Sequence, residues 1–166
     1  MDVANSAVTF DEFHLARRRH ALLYARAILG ADAAEDACQE AWLRAWKAWD
    51  TSRPATRDAW LLRIVRNCCI DRVRADRTTP GLTEEDLEAA PSFEEDVDSA
   101  IDAGVVGEML AELSPPLREV LWLREVMDLS YAEIAEVQSV PVGTVMSRLH
   151  SARGRAAKLL RAKGAW

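Results

Sequence analysis

The chain predicts an all-α fold: two small helical domains joined by an acidic linker. Three observations point there. Apolar residues recur at helical spacing along most of the 166 residues, and few segments read as strand. The segment 77–92, RTTPGLTEEDLEAAPS, breaks that pattern with two prolines, a glycine and clustered acids. Charge is also partitioned. Residues 1–80 carry 13 basic and 11 acidic side chains, residues 81–108 carry no base and 10 acids, and residues 109–166 carry 8 bases and 6 acids. The net charge of −6 thus hides two mildly basic blocks around one acidic strip, and local fields decide what each surface attracts.

Helices are expected over 10–29, 32–49, 56–76, 93–113, 116–126, 130–137 and 141–162. The first three form a block ending at 76, the linker spans 77–108, and the remainder forms a block over 109–166. Each block is small, so each should be only modestly stable alone. Gly30 suits the end of the first helix. Thr51-Ser52-Arg53-Pro54 separates the second from the third. On the second helix, Asp36, Gln39, Glu40, Leu43 and Lys47 fall within an arc of about 100°. Cys38, Ala41, Trp42, Ala45, Trp46 and Trp49 fall opposite, so the tryptophan stripe reads as core. The polar arc is either solvated surface or the seat of a partner helix. On the third helix, Trp60, Arg63, Asn67, Asp71 and Arg74 share one side. Asn and Arg are residues that pair with base edges or phosphate; an Asp71–Arg74 ion pair explains the spacing equally well.

In the linker, Ser92 and Glu95 form a capping-box pattern. Phe93, Val97, Ile101 and Val105 follow at spacing four, which predicts an amphipathic helix into the last block.

The C-terminal segment is the most informative. Ser130 and Glu133 form a capping box before a short apolar helix. Gln138-Ser139-Val140-Pro141 interrupts it, and Pro141 suits the first turn of a new helix. At about 100° per residue, Val142, Val145, Leu149, Ala152, Ala156 and Leu160 share one face of that helix. Thr144, Ser147, His150, Ser151, Arg155 and Lys158 lie on the other. From Met146 onward there are six Lys or Arg and no acid. This is the layout of a helix-turn-helix, whose second helix enters a major groove and whose cations neutralise phosphate.

Several classes find no support. Three cysteines (Cys38, Cys68, Cys69) without CxxC spacing argue against disulfides or zinc, and His14, His20 and His150 have no ligand spacing. No metal or cofactor is expected. No glycine-rich phosphate loop or nucleophile–base pair suggests an enzyme. No apolar run approaches the roughly eighteen residues of a membrane span, and MDVANSAVTFDEF lacks the pattern of a secretory signal. A reducing cytoplasm is the expected setting.

Together these segments resemble a known family. AEDACQEAWLRAWKAWD resembles the core-binding helix of region two of bacterial RNA polymerase sigma factors. AWLLRIVRNCCIDRVRADR resembles the promoter-melting helix that follows it, and LSYAEIAEVQSVPVGTVMSRLHSAR resembles region four. The short two-block chain resembles the extracytoplasmic-function (ECF) subgroup. The resemblance implies a non-enzymatic factor that binds core RNA polymerase and directs promoter recognition and transcription initiation. Asp36, Gln39, Glu40 and Leu43 would meet the coiled coil of the largest polymerase subunit, and region four would meet the flap. Arg63, Asn67, Asp71 and Arg74 would lie at the downstream element, where a base leaves the melted strand. Thr144, Ser147, Arg148, His150, Arg153, Arg155 and Lys158 would face the upstream element. The acidic linker would thread a basic polymerase channel. An anti-sigma partner, often membrane-anchored in relatives, would control the factor without membrane insertion by this chain itself. Three positions depart from the pattern: Ser139 stands where the turn often has Gly, and Met146 and Ser151 stand where relatives often carry Arg or Lys. The competing reading is a stand-alone helix-turn-helix regulator, which leaves the polar arc of the second helix unexplained.

Overall fold

The computed structural model describes residues 8–76 and 105–164. These residues form helices and turns, with no strand among them. The N-terminal block holds α1 (Phe10–Leu29), α2 (Ala31–Lys47) and α3 (Arg57–Asp76). The C-terminal block holds α4 (Val105–Ala111), α5 (Pro115–Glu125), α6 (Tyr131–Gln138) and α7 (Val142–Ala162). Of the linker expected over 77–108, residues 77–104, with the Ser92–Glu95 pattern and Phe93, Val97 and Ile101, lie outside the described residues. Of the helix expected over 93–113, the described part is α4, which crosses the expected boundary between 108 and 109.

The helix starts follow local chemistry. Thr9 caps α1: its Oγ1 accepts from the Glu12 amide at 3.3 Å, and Glu12 Oε2 accepts from the Thr9 amide at 2.9 Å. This reciprocal box satisfies amides that have no partner within the helix. Gly30, at φ 79°, ends α1 by donating its N–H to Arg26 O at 2.8 Å and begins α2 directly. Positive φ suits a residue without Cβ, and the sharp corner folds α2 back onto α1. Ala34, Ala37, Ala41 and Ala45 line the buried face of α2. Their small side chains admit Tyr24, Leu61, Leu62 and Val65 from α1 and α3, all fully buried.

The tryptophan stripe divides. Trp42 and Trp49 pack with Phe10, Phe13, His14 and Trp60, with His14 edge-on to Trp42 at 4.5 Å and Phe10 edge-on to Trp49 at 5.3 Å. Trp46 does not join them and is 62% exposed. The buried face of α2 is centred on its alanines. Trp42 sits at its edge, and Trp46, four residues on, is rotated about 40° further out. It therefore stands beside Gln39 and Leu43 on the outward arc, not in the core.

In the C-terminal block, Ser114 precedes α5, with Pro115 and Pro116 in its first turn. Leu117 through Leu123 are all buried, because α5 packs on α1 as well as on α7. Ser130 caps α6 as expected: the Glu133 amide donates to its Oγ at 3.2 Å, and its own amide donates to Glu133 Oε2 at 2.8 Å. Ser139 adopts the left-handed conformation at φ 55°, ψ 44°, and Val140 N–H returns to Ala135 O at 3.1 Å. The turn thus keeps the backbone that glycine would adopt, at a cost of about 1 kcal/mol relative to Gly. Val145, Leu149, Ala152 and Ala156 of α7 are buried as the periodicity predicts, whereas Val142 is exposed and Leu160 half-buried.

Candidate nucleic-acid and polymerase interfaces

The outward arc of α2 is intact in the fold. Asp36, Gln39, Glu40 and Leu43 are all exposed, and Leu43 retains 56% of its surface. Two of its acids are tied into ion pairs. Asp36 Oδ2 accepts from Arg72 Nη2 at 3.0 Å, and Glu40 Oε1 accepts from Arg44 Nε at 3.0 Å. Gln39, Leu43 and Trp46 then form a mixed polar and apolar strip along one side of α2. Trp46 is the member that sequence reasoning missed. Its angular distance from the alanines, rather than from the other tryptophans, was the available signal.

On α3, Arg63, Asn67, Asp71 and Arg74 are all exposed on one side. Asp71 pairs across to α2, accepting from Arg44 Nη1 at 3.2 Å. The α2 and α3 stripes are therefore joined through Arg44–Asp71 and Arg72–Asp36 and form one continuous surface. Arg17 of α1 fixes the start of α3 by donating both Nε and Nη2 to the Asp58 carboxylate, at 2.6 and 3.0 Å. A forked pair of this kind sets orientation as well as distance.

On α7, Ser147, His150, Arg153, Arg155 and Lys158 are exposed, as is Ser151. Thr144 is half-buried, and its carbonyl accepts from Ser147 Oγ at 3.0 Å. Arg148 is also half-buried and donates to Gln138 Oε1 at 3.2 Å. Arg153 reaches Glu125 Oε1 at 2.7 Å, and that contact raises its pKa. An exposed pair of this kind is weak, so Glu125 costs Arg153 little availability for phosphate. Tyr131, Met146, Leu149, His150, Arg153 and Gly154 enclose a shallow groove of about 390 Å³ beside this face.

The three thiols are buried. Burial pushes Cys38 up to about 11, and Cys68 and Cys69 are also raised, first by burial. Protonated, enclosed thiols are poor nucleophiles, so a redox role has no support from their setting. Among the described residues no group of His, Cys, Asp or Glu is placed to hold a metal ion, and no helix is long and apolar enough to cross a membrane.

Sequence reasoning also missed a cluster between the blocks: Tyr24, Arg66, Glu119, Trp122 and Gln138. Glu119 is the one acid within the apolar run LREVLWL, and that isolation was its signal.

A capped short helix, a left-handed turn and an outward basic helix define a helix-turn-helix DNA-binding protein. Comparison with known proteins narrows the class. Residues 14–79 match the Sigma-70 region 2 model and residues 104–155 the Sigma-70 region 4 model. The chain is 36% identical over 149 residues to the ECF RNA polymerase sigma factor SigL of Mycobacterium tuberculosis, covering 86% of this chain and 81% of that one. It is 32% identical over 143 residues to the ECF RNA polymerase sigma factor SigW of Bacillus subtilis, covering 77% and 75%. Its fold is similar to that of the sigma factor RpoE in complex with the anti-sigma factor NepR from Bartonella quintana. The TM-score there is 0.71 at 23% identity, over 92% of this chain and 96% of that one. The structure of CnrH in complex with the cytosolic domain of CnrY is similar at TM-score 0.61 and 25% identity, over 92% and 88%. The chain belongs to the ECF sigma factors of the sigma-70 family.

Proposed function

We propose that this chain binds core RNA polymerase and confers promoter choice on it, itself catalysing no reaction. The observation that carries this reading is the pairing, in one chain, of an outward strip on α2 with a helix-turn-helix. The α2 strip has no use in a stand-alone regulator. Asp36, Gln39, Glu40 and Leu43, extended by Trp46, would dock on the coiled coil of the largest polymerase subunit. Arg63, Asn67, Asp71 and Arg74 would meet the melted downstream element. Ser147 and His150 would stand at upstream base edges, with Thr144 beside them. Arg148, Arg153, Arg155 and Lys158 would anchor on phosphate. An anti-sigma partner is proposed because the similar RpoE and CnrH structures hold such partners or a partner's cytosolic domain. The factor would work in the cytoplasm and reach the membrane only through that partner.

Run-off transcription tests the reading. Core polymerase with this chain should yield discrete transcripts, and core polymerase alone should not. No transcript from any genomic template, with no co-purification of core polymerase, would sink it.

The roles on α7 are separable. Arg153→Ala should lower affinity for upstream-element DNA across all sequences and flatten the salt dependence by about one unit per lost phosphate contact. His150→Ala should instead change which bases are preferred. Binding titrations at several salt concentrations on a set of base-substituted duplexes check both. A sequence-specific effect of Arg153→Ala with an unchanged salt slope would reverse the assignments.

A further inference from the structure

The first turns of α7 carry no charge. From Val142 to Ser147 the helix runs VGTVMS, and its first cation, Arg148, is half-buried and donates to Gln138 Oε1 at 3.2 Å. Two apolar side chains in this stretch face outward. Met146 keeps 54% of its surface and Val142 keeps 42%. They stand one turn apart and about 40° from each other around the axis. The face that α7 turns to the core is made instead by Val145, Leu149, Ala152 and Ala156. Ser147 and His150, both exposed, lie about 100° and 40° from Met146 around the axis. Met146 thus shares the outward side with the residues placed at upstream base edges.

Its surroundings select the occupant. A protein partner would favour a broad apolar patch. Met146 is set instead among Ser147, His150 and, further along α7, Arg153, Arg155 and Lys158, with no acid after Pro141. Such a field suits a phosphate backbone. A recognition helix brings its N-terminal residues to the base edges of the major groove. Guanine there is paired by Arg or Lys, and adenine by Asn or Gln. VGTVMS contains none of these four residue types. Thymine is the base that presents an apolar group in the major groove, its C5 methyl. An unbranched thioether adapts to a methyl group without demanding one geometry. Tyr131 and Leu149 line the shallow groove together with Met146 and give its side chain an apolar wall.

We propose that Met146 is a specificity-determining residue that reads the C5 methyl of a thymine in the upstream element. The inference rests on the reading of α7 as the upstream-element helix and names what its first turns select.

Uracil scanning of the promoter tests it. Holoenzyme is assembled from core polymerase and the full chain, and start sites are mapped by the run-off assay. Each thymine of the upstream element, on either strand, is then replaced singly by uracil, which removes the C5 methyl alone. At one or two positions the replacement should weaken wild-type binding about fourfold, the value of one methyl group taken out of water. Met146→Ala should lose a similar factor on the thymine duplex and become indifferent to uracil at those positions. Circular dichroism controls for folding; if Met146→Ala loses helicity, Met146→Gln, of similar length, decides with the same expectation. An upstream element without thymine, or a flat uracil series, overturns the proposal. So does uracil sensitivity that survives the substitution. Equal weakening on thymine and uracil duplexes also overturns it, and a parallel loss of affinity for core polymerase would assign Met146 to a protein contact. Absence of any transcript sinks the sigma-factor reading and this inference with it, whereas transcripts with a flat uracil series sink this inference alone.

Discussion

The double substitution Leu43→Ala with Trp46→Ala is expected to weaken binding to core RNA polymerase by at least about thirtyfold. Both side chains are large, apolar and more than half exposed. They sit within one turn of each other on α2, next to Gln39. Single exposed apolar residues are ordinary on protein surfaces. Two on one outward strip, beside a polar residue without an ion-pair partner to satisfy, are more informative. Aromatic anchors at the centre of an interface typically cost about 2 kcal/mol or more when truncated, which is roughly thirtyfold in affinity. Because neither side chain is part of the core, each change should alter the stability of the free chain by no more than about 0.5 kcal/mol. Affinity for labelled core polymerase, read beside thermal unfolding of the free chain, separates the two effects. Full affinity in the double variant would show that the strip is plain surface, and the α2 assignment would fall with it.

That prediction depends on a residue the sequence pattern misplaced, and the reason is physical. Three tryptophans at helical spacing look like one stripe, but a stripe is defined by its angle to the core. The core of α2 is its alanines, and small residues contribute little to the apparent hydrophobic face of a helix beside tryptophans. Local features were legible because they depend on near neighbours. The Ser130–Glu133 box, the buried face of α7 and the exposed sides of α2 and α3 all follow from spacing within one helix. The Thr9–Glu12 box obeys the same rule and could have been read the same way. Ser139 shows a limit of that approach. Ser139 stands where such turns often have Gly, yet hydrogen bonds from the turn back to α6 keep the left-handed backbone. The junction between the blocks was not legible. Tyr24 and Arg66 lie 95 and 53 residues from Glu119, and no local periodicity reports pairing at that distance. An acid inside LREVLWL signalled burial with partners without naming them.

Arg118, one residue before Glu119, carries the largest expected effect on stability. It is 6% exposed, and desolvation lowers its pKa, though a guanidinium starts high enough to remain charged at neutral pH. Its Nε donates to Leu110 O at 2.8 Å, and its Nη2 donates to Ala111 O at 3.1 Å and Leu113 O at 3.0 Å. These carbonyls lie at and just beyond the C-terminus of α4, where backbone acceptors run out of intrahelical donors and the helix dipole is negative. One planar side chain thus caps α4 and pins it to α5. A buried ion pair can often be replaced by apolar groups at no loss, because both charges leave together. These three acceptors are backbone and cannot leave. Arg118→Met keeps most of the volume but takes the side-chain donor from Ala111 O and Leu113 O, while Leu110 O keeps the Leu113 amide, so the expected cost is about 3 kcal/mol. For a block of this size that lowers the unfolding midpoint by more than about 10 °C. Arg118→Lys should recover only part of the loss, since a single ammonium cannot reproduce the fork. The damage should spread to α7, because Lys163 near its end is held by Glu108 and Glu112, on and just after α4. Thermal melts of the full chain followed by circular dichroism measure the loss. A midpoint for Arg118→Met within a degree or two of the wild type would mean that water reaches these carbonyls, and that α4 is held by its apolar contacts alone.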